Sequence, residues 1–187
     1  YRIYVITACA MMSWLVIFLA VVHIIIILAI SYRVWKAQTA LKKFFWPALI
    51  IKFIAGICLG LVYLYYYSVA DTFDYFRDAS KFAALAMQDF PSYLHVLFFD
   101  QHLEELDLVF TQPRAVFLTR ITSIFSILTI NNYWIIGFYF SLISFLASWN
   151  LVQVIRRNIP SVATAGVLAF LFVPSVVFWS SGLLKES

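Results

Sequence analysis

Four long apolar runs decide what this chain can become. They cover residues 3–31, 44–68, 133–155 and 161–182, and the first has "LVIFLAVVHIIIILAI" at its heart. Each is long enough, at about 20 helical residues, to cross about 30 Å of hydrocarbon. Lipid offers the backbone no partners, so such runs fold as helices that satisfy their own N–H and C=O groups. Composition agrees: 64% of the 187 residues are hydrophobic and 12% are charged, against about 25% charged in soluble domains. The expected class is an all-α polytopic membrane protein, with four spanning helices in a single transmembrane domain over residues 1–187. The chain opens on Tyr1 and closes on "LLKES" directly after an apolar run, so it is read as a fragment of a longer chain. Its first run is too long for a signal-peptide core. Cys9 and Cys58 lie inside apolar runs, where a buried thiol is inert.

The charges are unevenly placed. Arg33, Lys36, Lys42 and Lys43 fall between the first two runs, and Arg156 and Arg157 follow the third, with no acid in either link. The positive-inside rule puts both links in the cytoplasm. The long segment 69–132 and the end 183–187 are then external. Eight of the nine acids lie within 71–107, and the ninth is Glu186. The acids therefore meet on one membrane face. Within the long loop, "DASKFAALAMQDF" and "PSYLHVLFFDQHLEELDLVF" alternate apolar and polar positions, and "AVFLTRITSIFSILTI" is apolar but short and interrupted by Arg120. The first two read as amphipathic helices resting on the outer leaflet, and the third as a helix lying in the interface or a re-entrant one, with breaks at Pro91 and Pro113. No stripe of basic residues on a polar face points to nucleic acid.

Asp71, Asp74 and Asp78 follow one another at helical spacings where the second run ends, with Arg77 and Lys81 among them. Acids near a helix start complement its dipole. A carboxylate at a membrane boundary is also partly desolvated, which raises its proton affinity and suits it to act as a base. Arg77, Lys81, Arg114, Arg120 and Lys185 are external or interfacial in this topology. They suit an anionic lipid headgroup, because guanidinium and ammonium groups bind phosphate. Lys52 is expected to snorkel to the cytoplasmic end of its helix, and His23 to be packed or hydrogen-bonded. His95 and His102, with Asp100 nearby, give only a faint metal signal.

With Asp71, Tyr75 and Ala79 in a D-x-x-x-Y-x-x-x-A pattern, the chain resembles the integral-membrane glycosyltransferases of the GT-C class, relatives of protein O-mannosyltransferases and aminoarabinose transferases. Pro174, Ser180, Ser181 and Glu186 fit that class's second external loop, in which an acid follows a Pro-containing helix and a Ser-rich turn. The resemblance covers residues 61–187; the helix ahead of the usual first one is an addition. It implies transfer of a sugar from a polyprenyl-phosphate donor to an acceptor on the external, periplasmic face of a bacterial inner membrane. Asp71 and Glu186 would be catalytic, and Asp74 or Asp78 an accessory acid. Arg77, Lys81, Arg114, Arg120 and Lys185 would hold the lipid phosphate. A divalent metal is left open, since some members use one and others none. Two rivals stand beside it: a non-catalytic structural or assembly subunit with protein partners, and a transporter fragment. The last should show broken helices or internal repeats, and neither is expected in this sequence.

Overall fold

A computed structural model describes residues 14–38, 40–67, 71–99 and 106–184. The described residues form helices and connecting turns. α1 is Trp14–Lys36, α2 Lys42–Tyr65, α3 Asp71–Gln88, α4 Phe90–Phe98 and α5 Pro113–Leu128; α6 is Tyr133–Asn158, α7 Ala163–Leu171 and α8 Pro174–Trp179. One 3₁₀ turn, Pro160–Val162, leads into α7.

Three of these helices are long and apolar enough to cross a membrane: α1 over Val16–Lys36, α2 and α6. They match the first three apolar runs, with differences at the ends. Residues 3–13 of the first run lie outside the described residues. α1 runs on to Lys36 instead of stopping at residue 31, because "SYRVWK" holds no breaker and its Arg33 and Lys36 suit the negative end of the helix dipole.

The fourth run is not one helix. α7 ends at Leu171, Val173 is extended (φ −64°, ψ 119°), and α8 restarts on Pro174 and stops at Trp179. Pro174 explains the break. Its ring disfavours helical geometry at the preceding residue and supplies no N–H, while suiting the first turn of a new helix. The expectation of unbroken helices is therefore corrected here.

The main core joins both ends of the sequence. Ile27 of α1, Phe45, Ala48 and Leu49 of α2, Phe145, Trp149 and Val152 of α6, and Val167 and Leu171 of α7 form one buried cluster. Phe45 sets its ring edge-on to Trp149, with centroids 4.9 Å apart. That contact pairs the start of α2 with the end of α6, so the two basic links share one end of the bundle. At the other end Tyr133, the first residue of α6, stacks on Phe73 and hydrogen-bonds Thr72 through its hydroxyl at 2.9 Å. The start of α3 is thereby seated on the start of α6. Between the ends, the His23 ring reaches the Tyr139 hydroxyl at 2.8 Å and the Leu128 carbonyl at 3.1 Å, the hydrogen-bonded role expected of it.

α3 does not rest its apolar face on lipid. Tyr75, Ala79, Phe82, Ala83 and Ala86 are buried against the neighbouring helices α4 and α5. The small side chains are the reason. Thr119, Thr122, Ser123 and Ser126 of α5 are fully buried, and together with the alanines of α3 they permit close helix approach.

Candidate functional site

Sequence neighbours of three expected site residues share one cluster. Tyr75 of α3, Ala115 of α5, Ile136 and Phe140 of α6, and Leu183 beyond α8 form one buried cluster. Asp71 lies one helical turn before Tyr75, Arg114 directly precedes Ala115, and Leu183 belongs to the Ser-rich turn. Three separate stretches of sequence thus meet on α6, in one cluster of five apolar side chains. Helical periodicity is the local cause: residues 71, 75 and 79 repeat every four, which aligns them on one face of α3. Tyr75 is then locked by stacking on Phe110, with centroids 4.6 Å apart.

The three aspartates have different surroundings. Asp71, the first residue of α3, is exposed rather than enclosed in a cleft. Asp74 pairs with Arg77 at 3.2 Å, in the same helix. Asp78 is fully buried, and its carboxylate accepts the Val109 N–H at 2.9 and 3.1 Å and the Phe110 N–H at 3.2 Å. Burial pushes the Asp78 pKa up, against the opposing pull of those two amides and of Lys81 and Arg77. Asp78 is therefore a tether for residues 109 and 110, and both its carboxylate oxygens are engaged.

The cations divide likewise. The Lys81 ammonium donates to the Asp107 carbonyl and lies 3.9 Å from the carboxylates of both Asp78 and Asp107. Arg120 donates to the Phe99 carbonyl at 3.1 Å, which ties α5 to the end of α4. Both are bound into the loop's own framework. Arg114 is exposed in the first turn of α5, with no carboxylate among the described residues in ion-pair range. A cation there opposes the helix dipole.

Lys185 and Glu186 lie outside the described residues, as do Asp100 and His102. Leu183 and Leu184, expected in an external loop, are buried. The turn from Ser180 to Leu184 enters the bundle because Leu183 fills the Tyr75 cluster and Gly182 meets α2 and α6. The Gly182 N–H donates to the Ser141 hydroxyl of α6 at 3.0 Å. Gly56 of α2 stands so close that a Cβ there would sit 2.7 Å from the same hydroxyl. Sequence reasoning missed Gly56 and Ser141, although a glycine one turn beyond Lys52 was the available signal. It also misjudged Lys52, which is 4% exposed and donates to the Ser180 hydroxyl at 2.5 Å. Snorkelling is ruled out by that contact. Among the described residues no group of three or more His, Cys, Asp or Glu side chains gathers as a metal site would require.

No protein-family model, curated protein or solved structure matches this chain.

Proposed function

We propose that the chain is part of a GT-C-type glycosyltransferase that takes a sugar from a polyprenyl-phosphate donor. Its setting would be a bacterial inner membrane, with α3 to α5 on the external face and the interrupted run 161–182 as a fourth crossing. One observation carries the reading: the start of α3, the start of α5 and the Ser-rich turn share the Tyr75–Ala115–Leu183 cluster. A base, a phosphate-binding cation and a second acid have to come from separate stretches and work within reach of one another.

In this mechanism the acceptor hydroxyl attacks the anomeric carbon of the sugar and gives its proton to Asp71. The bond from that carbon to the phosphate oxygen breaks, and the polyprenyl phosphate leaves with the electron pair. Arg114 is the cation best suited to meet the developing phosphate charge, with Lys185 as its partner from the following segment. Glu186 orients the acceptor or carries a divalent metal. Lys81, Arg120 and Asp78 serve the loop's framework instead. The test is transfer by Asp71→Asn in the intact membrane protein: activity should vanish with expression and fold retained, and near-normal transfer would sink the assignment.

The exposure of Asp71 favours a second reading, an assembly subunit that presents this face to a protein partner. Full activity of an Asp71→Asn variant together with loss of a co-purifying subunit would favour it. The break before Pro174 and the buried Lys52 are the features a transporter fragment would share.

A further inference from the structure

Lys52 lies ten residues past Lys42, about 15 Å along α2, with about 20 Å left to Tyr65. It is thus near the middle of a spanning helix, where ionisable groups are rare and carry function by default. Among the described residues it has no carboxylate in ion-pair range. Its surroundings are the C-terminal end of α8. There the Ser180 hydroxyl accepts from Lys52 and donates to the Val176 carbonyl, while the Ser181 hydroxyl donates to Val177 at 2.5 Å. The last carbonyls of a helix carry partial negative charge, so an ammonium beside them is electrostatically favoured where an apolar side chain would gain nothing. Two further contacts fix the same turn: Gly182 on Ser141, and the close approach of Gly56.

We propose that Lys52 is a positioning residue whose positive charge latches the turn 180–184 onto α2. The latch sets the point from which the chain leads on to Lys185 and Glu186. It stands on geometry alone; its consequence for sugar transfer rests on the function proposed above.

Hydrogen exchange of the intact protein in lipid nanodiscs tests the charge directly, with Lys52→Met, Lys52→Arg and Ser180→Ala compared. The amides of 180–184 should exchange at least tenfold faster in Lys52→Met and in Ser180→Ala, with α6 as protected as before. Lys52→Arg should retain most of the protection, since it keeps the cation. Unchanged exchange in Lys52→Met overturns the latch, and so does equal loss in Lys52→Arg, which would assign the effect to volume. Should Lys52→Met fail to fold, Ser180→Ala decides: exchange at 180–184 unchanged from the parent also overturns it. Absence of sugar transfer by the parent protein removes the glycosyltransferase reading and leaves the exchange result to decide the latch.

Discussion

Asp78 holds the Val109 N–H between its two carboxylate oxygens, at 2.9 and 3.1 Å, across 31 residues of sequence. Loss of that grip exposes what it does. Asp78→Ala should cost about 1 to 3 kcal/mol, the usual toll of stranding amide donors whose partner was charged. A lowered thermal midpoint in detergent would report it, with proteolysis near residues 106–112 as a local signature.

The same carboxyl makes a pH prediction. Its pKa is raised by burial in the folded protein. A carboxyl with a raised folded pKa contributes stability that is fully present below its unfolded value and lost as pH rises through the folded one. The midpoint difference between the parent and Asp78→Asn should therefore widen in the parent's favour as pH falls from 7 through that raised value. A gap that narrows on acidification would show the opposite shift.

Gly56, Ser141 and Gly182 form a second testable unit. Gly56→Ala forces the Ser141 hydroxyl aside, and overpacking of this kind costs about 1 to 3 kcal/mol. Ser141→Ala makes room but removes the hydroxyl that accepts the Gly182 N–H, at about 1 to 3 kcal/mol. Both changes act through one hydroxyl, so the double variant should lose less than the two single losses combined. Thermal midpoints of the four proteins would measure the coupling; strict additivity would mean that the contacts are independent.

Arg114 and Lys81 separate phosphate binding from loop architecture. Arg114→Gln should lower the kcat/KM for sugar transfer at least tenfold, about 1.4 kcal/mol of transition-state stabilisation, with little change in melting. Lys81→Gln should do the reverse, with transfer within a few-fold and a lower midpoint, because its ammonium is committed to Asp107 and Asp78. Equal effects of both on transfer would remove the distinction.

The spanning helices were legible in the sequence because hydropathy over two dozen residues needs no knowledge of partners. α1, α2 and α6 follow from it nearly to the residue at some ends. The interruption before Pro174 was also present in the letters, but a proline among apolar neighbours reads equally as a kink. The loop was harder. The four-residue repeat from Asp71 to Ala79 foretells one helical face, yet not that α5 covers it. The work of Asp78 was hidden, since its amide partners lie some 30 residues away in a segment without regular pattern. Lys52 misled for a related reason. Distance to the helix end argues for snorkelling until Ser180, 128 residues later, is brought beside it.

The buried turn also depends on the pairing of two long helices. Its Gly182 N–H finds an acceptor on α6, and its Ser180 hydroxyl receives the Lys52 ammonium from α2. Hydrocarbon provides neither partner. The turn can take its final form only with α2 and α6 side by side, so a change that parts those two helices also releases the turn.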